Sequence, residues 1–282
     1  MKIRIGFEFV YEFVAPTPMV LMLNVHPSRA TDLVRPDQLR VAPTLPLTRY
    51  QDGFGNTCTR LVAPKGQLEI SADALVHDCG LPDPVEPAAR QHEVAELPHD
   101  TLVFLLGSRY CETERLMTEA WARFGKTPPG WPRVQAICDF VHSHVRFGYQ
   151  HARATKTAAE VASERRGVCR DFAHLAVTLC RCMNIPARYC TGYLGDIGVP
   201  PEPDPMDFSA WFEVYLGGRW HTFDARHNTP RIGRIVMARG RDAADVAIST
   251  TFGPNLLKRF VVHTDEVIDE PARIALPERK VA

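Results

Sequence analysis

The chain lacks a charge of either sign: 33 Lys and Arg are set against 33 Asp and Glu over 282 residues, well interspersed. Binding to nucleic acid or to an anionic membrane surface draws on surplus cation, so neither is expected as a partner. Long apolar runs are missing too; none approaches the roughly 20 residues that cross a bilayer. The eight cysteines, at 58, 79, 111, 138, 169, 180, 182 and 190, include no CxxC pair. Scattered in this way, they are expected as reduced thiols rather than disulfides. Internal repeats and low-complexity tracts are absent. The opening MKIRIGFEFVYEFV puts apolar residues at every odd position from Ile3 to Phe13, the period of a half-buried strand and not of a secretory apolar core. The location expected from this is the cytoplasm.

What is present falls into two kinds of pattern. Residues 1–80 read as a β-rich unit: alternating apolar stretches are punctuated by Asp52-Gly53, Gly55-Asn56 and Lys65-Gly66. Residues 81–98, proline-rich and without periodicity, read as a linker. Residues 99–282 then begin with helices. Thr113 to Phe124 has a helical pattern. A second helix opens at Trp131-Pro132, with Val134, Ile137, Cys138, Val141 and Val145 in one stripe. Thr157 to Glu164 is a short third helix ended by Gly167, and a fourth starts near Cys169 and is stopped by Pro186. Strands follow, two of them joined by Gly217-Gly218. Helices followed by a meander predict an α+β class, preceded by the all-β unit.

Cys169 stands where the fourth helix begins, in ERRGVCRDFAHL. Unpaired N–H groups and the positive end of the helix dipole favour thiolate there, lowering a thiol pKa from about 8.5 towards 7 or below. The same N–H groups suit a developing oxyanion, so acyl transfer is the chemistry such a cysteine serves. Asp171, in the first turn, is read as complementing the dipole. Cys180 and Cys182 point in different directions on one helix and make no metal site. A nucleophilic cysteine needs a histidine to take its proton and a third group to hold that histidine.

The runs GVCRDFAHLAVTLCRCMNIPARYCTGYLGD and DFSAWFEVYLGGRWHTFDA resemble the bacterial transglutaminase-like family, whose members are assigned as cysteine proteases. The Gly-x-Cys-x-Asp helix start, the Asn-Ile-Pro-Ala-Arg helix end, the Ala-Trp-x-Glu-Val strand and the Phe-Asp strand occur in the family's order. The β-rich first eighty residues resemble its N-terminal domain. The resemblance implies a papain-like transglutaminase core, in which the helix bearing the cysteine packs on an antiparallel sheet, and a Cys-His-Asp triad. Cys169 matches the nucleophile and Asp224 the orienting carboxylate. The histidine precedes the Ala-Trp pair in the family; here Ser209 holds that place.

Strand parity puts Ser209, Trp211 and Asp224 on one face if Gly217-Gly218 is a two-residue hairpin turn. His221 points to the other face. His227, just past the strand, can curl back as a substitute base. His174 is rotated off the Cys169 face and is read as structural. His142, His144 and His151 are read as surface or capping residues, and no metal or cofactor is expected. Trp211 and Glu213 are candidates to line the substrate cleft, although an aromatic in a strand is more often core. Tyr149 and Gln150, which precede the nucleophile helix, are candidates for substrate contact. The run RIGRIVMARGRD and Asp242 to Asp245 are candidates to shape the rim of the site, with a solvated loop the favoured reading.

The favoured reading is a cysteine acyl-transfer enzyme acting on a peptide or carboxamide through a Cys169 thioester. Protease, amidase, transglutaminase and acyltransferase share that chemistry. The alternative is a pseudoenzyme or peptide-binding module that keeps the fold. Oligomeric state leaves no mark on the sequence.

Overall fold

The computed structural model describes residues 1–203 and 205–267. The alternation at the N-terminus becomes a strand over Lys2–Phe13, and Ile3, Ile5, Phe7, Phe9, Tyr11 and Phe13 are all buried. Side chains on a strand alternate between faces, so these six form one apolar wall. Burying each contributes about 1.5–3 kcal/mol. The strand pairs antiparallel with Gly66–His77 on one side and Asn255–Val267 on the other. Leu33–Arg35 and Arg40–Ala42 add to the far edge of Gly66–His77. A second antiparallel sheet, ordered Ser249–Thr251, Thr17–Leu21, Thr57–Ala63 and Thr48–Gln51, packs on the same core.

Two of these strands come from the far end of the chain. Ser249–Thr251 pairs with Thr17–Leu21, and Asn255–Val267 pairs with the first strand. The division of the sequence into 1–80 and 99–282 is therefore crossed: the β-rich unit takes edge strands from beyond the helices. Long-range pairing of this kind leaves no local signal, because a strand's pattern says that it is half-buried and not what it pairs with. Residues 268–282, grouped with the core in that division, lie outside the described residues. The segment 81–98 is also tied down rather than free. The Arg231 N–H donates to Asp83 Oδ2 at 2.9 Å, Gly217 N–H to Arg90 O at 2.9 Å, and Gln91 Nε2 to Met183 O at 2.9 Å.

Four helices make the rest of the core: α1 (Thr113–Phe124), α2 (Trp131–His144), α3 (Ala158–Glu164) and α4 (Cys169–Cys182). α3 starts on a capping box, with Thr157 and Glu160 each accepting the other's backbone N–H. It ends at Arg165, whose φ of 55° is left-handed, two residues before the expected Gly167. α4 is surrounded: every residue from Asp171 to Cys182 is buried. Its neighbours are the other three helices and the strand Ser209–Leu216, whose Phe212, Val214 and Leu216 face it. That strand belongs to a four-stranded antiparallel sheet ordered Arg219–Phe223, Ser209–Leu216, Ala187–Tyr193 and Ile235–Gly240. Tyr193, Phe208, Ile235 and Met237 from this part of the chain enter the β-rich core, which ties the two units together although each keeps its own apolar cluster. The outcome is the α+β, transglutaminase-like architecture read from the sequence, with a strand-rich N-terminal region.

Candidate active site

The site is built where α4 begins. Asp171 is fully buried, and its Oδ2 accepts the Val168 N–H at 3.0 Å, which closes the first turn of the helix. Gly167 has to be glycine for a steric reason: a Cβ there would lie 2.6 Å from both the Cβ and the Oδ2 of Asp171. The Gly-x-Cys-x-Asp pattern is thus one packed unit, and Cys169 is held in the middle of it. Lys156 secures it from below. Its side chain is 2% exposed, its Nζ donates to His151 O and Arg166 O at 3.0 Å each, and it lies 4.0 Å from Asp171 Oδ2.

Cys169 opens onto two cavities. The larger, about 620 Å³, has Tyr110, Tyr149, Tyr189, Arg170, Asp207 and Ile248 among its walls. The smaller, about 40 Å³, is polar and includes Tyr149, Asp207, Ser209, Arg226 and His227. Burial and the Asp207 carboxylate push the Cys169 thiol up to about 11, although Arg226 and the backbone N–H groups of Ala210 and Arg170 act the other way. The helix start therefore does what its dipole requires, but it loses to desolvation. This corrects the expectation of a lowered thiol pKa, and it means that the resting sulfur is protonated.

Asp224 lies just past the strand Arg219–Phe223 and makes four contacts. Its Oδ1 accepts the backbone N–H of Arg226 at 2.9 Å and of His227 at 3.1 Å. Its Oδ2 is 2.8 Å from His227 Nδ1 and 2.8 Å from Arg234 Nη2. Burial alone would raise its pKa, yet Arg234 and His227 hold it well below the usual carboxylate range. A carboxylate only accepts, so His227 Nδ1 carries a proton, and in the neutral ring Nε2 is the acceptor. Nε2 lies 3.8 Å from Glu202 Oε1. The turn after Asp224 thus curls His227 back to the carboxylate, as its position past the strand allows.

The other sequence candidates separate cleanly. Ser209 is buried and lines the small cavity beside Cys169 and His227. The hairpin register is as expected, with Val214 opposite His221 and Phe212 opposite Phe223. His221 faces α2, edge-on to Trp131, with Nε2 3.1 Å from Leu216 O. Trp211 does not reach the cleft: it is 2% exposed and packs with Cys190 and Val236 under the Arg234 guanidinium. Glu213 on the same face is buried between Arg188 and Arg239. Tyr149 lines both cavities at Cys169, whereas Gln150 lines a different polar pocket with Lys156 and Glu164. His174 is buried, stacked on Tyr110, and its Nε2 accepts the Ala243 N–H at 3.1 Å. His142 and His144 bond to the carbonyls of Arg226 and Ala162. Among the described residues no group of His, Cys, Asp or Glu is placed to hold a metal ion. All eight cysteines are free.

Three neighbours of the site were not singled out individually from the sequence. Arg234, from the run taken as a solvated loop, is buried and bridges Asp83 and Asp224. Asp242, from the same stretch, is 1% exposed and accepts the Tyr110 N–H at 2.8 Å, which fixes one wall of the cleft. Asp207 lines both cavities beside Cys169. The arginine spacing in RIGRIV offered no sign of burial, since paired and solvated arginines look alike in sequence.

A cysteine at the start of a buried helix, packed on an antiparallel sheet whose next turn carries an Asp-His pair, defines a transglutaminase-like fold of papain type. The chain belongs to the transglutaminase-like superfamily, whose core matches residues 119–225. The matched segment contains Cys169, Ser209 and Asp224 and stops short of His227. An uncharacterised protein of Mycobacterium tuberculosis is 31% identical over 221 residues, 70% of this chain and 68% of that protein. One from Mycobacterium leprae is 25% identical over 222 residues, 72% of this chain and 76% of that protein. The crystal structure of a "putative cysteine protease" from Cytophaga hutchinsonii, 31% identical, matches with a TM-score of 0.83 over 96% of this chain and 92% of that one. No helix among the described residues is long and apolar enough to cross a membrane.

Proposed function

We propose that the protein is a cysteine acyl-transfer enzyme in which Cys169 is the nucleophile and His227, oriented by Asp224, replaces the imidazole whose place Ser209 occupies. The observation that carries the reading is the 2.8 Å bond from His227 Nδ1 to Asp224 Oδ2, made at the edge of a cavity that Cys169 also lines. A protonated thiol needs a base, and His227 Nε2 is the imidazole acceptor that shares its cavity. A cavity of about 40 Å³ is large enough for one water, which would relay the Cys169 proton to Nε2. The sulfur then attacks an amide carbonyl. The C–N bond breaks, the proton held by His227 goes to the departing amine, and a thioester forms. Water or a second amine, deprotonated by His227, attacks the thioester and returns the thiol. The substrate class is a peptide or carboxamide, and the cytoplasm is the proposed location.

The raised thiol pKa and the proximity of Glu202 to Nε2 favour a second reading, a peptide-binding module in which the machinery is idle. Acylation of Cys169 by p-nitrophenyl acetate, followed by intact mass, separates the two. General-base help is worth about 10² to 10⁴ in rate. On the enzyme reading, His227→Ala slows acylation by that order while the chain stays folded, the melt falling only by what the lost bond to Asp224 contributes. An acylation rate that ignores His227 sinks the assigned base. If Ser209→His then creates turnover that the native chain lacks, the binding reading is right.

A further inference from the structure

The charges around Cys169 are matched with one exception. Arg153 is paired with Glu160 and Glu164 at 3.0 Å each, and Arg170 with Asp171 at 3.3 Å. Arg226 is committed to Glu202 at 2.7 Å, with its guanidinium 3.8 Å from the centre of the Phe147 ring. Arg231 lies 3.7 Å from Asp196 and donates to Gly195 O at 2.9 Å. Asp207 has no ion-pair partner among the described residues. Its carboxylate accepts the Phe208 N–H at 2.6 Å, and it lines both cavities next to the sulfur.

Burial raises the Asp207 pKa against the pull of Arg226, a cation already committed to Glu202, and the carboxylate also opposes ionisation of the neighbouring thiol. Structure that penalises both its own stability and its nucleophile makes sense if a cation arrives with the substrate. The cleft wall is suited to one: Tyr149, which lines both cavities at the sulfur, presents aromatic surface, which attracts an ammonium as well as apolar groups.

We propose that Asp207 is the specificity-determining residue of this site, receiving a positively charged nitrogen of the acyl donor, so that the preferred substrate is a cationic amide. This rests on Cys169 being the nucleophile. Docking of the cation neutralises Asp207 and removes its opposition to the thiolate, so the nucleophile is activated only when the right substrate is bound. The nitrogen can be the α-ammonium of an N-terminal residue or the side-chain ammonium of lysine.

Irreversible probes test this on the full chain. Phenylalanine chloromethyl ketone with a free α-ammonium, its N-acetyl form, and N-acetyl-lysine chloromethyl ketone are compared by the rate at which each alkylates Cys169, read by intact mass and peptide mapping. In each case the sulfur forms a bond to the methylene carbon and chloride leaves. At least one cationic probe should outpace the neutral one by about tenfold or more, the effect of one charge-assisted contact. The faster of the two identifies the source of the ammonium. In Asp207→Asn that ratio should fall to about one while alkylation by neutral iodoacetamide speeds up. Asp207→Glu, which keeps the charge, should retain the preference and guards against a folding artefact. Equal rates in the native protein, or a preference that survives Asp207→Asn, overturn the assignment while leaving the nucleophile intact. If neither iodoacetamide nor any probe labels Cys169, the nucleophile falls and this assignment falls with it.

Discussion

Replacing Arg234 by Met asks how far the Asp224-His227 pair depends on one buried cation. The guanidinium bridges two carboxylates, Asp83 at 2.7 Å and Asp224 at 2.8 Å, with side chains 6% exposed for Arg234, 16% for Asp83 and 3% for Asp224. Methionine keeps most of the volume above Trp211, so the cavity contribution is small. What remains is charge. Deleting one partner of a buried pair costs about 3–5 kcal/mol, because the other is left desolvated and unpaired. At about 2 °C per kcal/mol for a chain of this size, the melting temperature should drop by about 6–10 °C. Urea denaturation at neutral pH reads the free energy directly. The pH dependence adds a second check. In the native protein Asp224 has a depressed pKa, so its contribution to stability is present above the unfolded carboxylate pKa of about 3.9 and is lost only as pH falls through the folded value. Without Arg234, burial is opposed only by His227 and the two backbone N–H groups, so the folded pKa rises and less of the carboxylate's stabilisation remains. The gap between native and variant should therefore be widest near neutral pH and narrow as the solution is acidified. A loss under about 1 kcal/mol, or a gap that does not change with pH, would refute the claim that Arg234 holds the Asp224 carboxylate.

Gly167→Ala places a methyl group 2.6 Å from Asp171, where nothing can yield without opening the first turn of α4. A cost of about 1–3 kcal/mol in urea unfolding is expected, together with altered Cys169 alkylation; neutrality would mean that the helix start is looser than its packing indicates. His26 is buried, and desolvation together with Arg239 and Arg188 lowers its pKa from 6.5 to about 4. The unfolded chain takes up that proton first, so His26 should make stability decline as pH falls from 6.5 towards 4. His26→Asn should flatten that part of the profile, and an unchanged slope would assign the decline elsewhere.

The legible parts of this protein were those with short-range causes. Apolar residues at odd positions from Ile3 to Phe13 announce a half-buried strand, and the α2 stripe announces a helix. Gly217-Gly218, with φ of 58° and 88°, announces the hairpin whose register turns His221 to the face opposite Asp224. Cys169 could be placed at a helix start from its local pattern, and Asp224 was matched to the orienting carboxylate through the family resemblance. Trp211 misled because an aromatic inward on a strand reads the same whether it faces core or cleft, and only packing under Arg234 separates the two. His227 was open from sequence, since a residue in a turn has no parity to constrain it.

By itself, then, the order of residues determined the elements, their class and which thiol starts a helix, since periodicity, turn chemistry and helix starts are local properties. The tertiary structure alone decided which imidazole meets Asp224, which arginine neutralises it, and which carboxylate faces the sulfur. It also decided that the last strand closes the first sheet. These are contacts between residues up to 265 positions apart, as Lys2 pairs with Val267, and charge pairing and desolvation depend on what surrounds a group in space, which no neighbouring letter in the chain records.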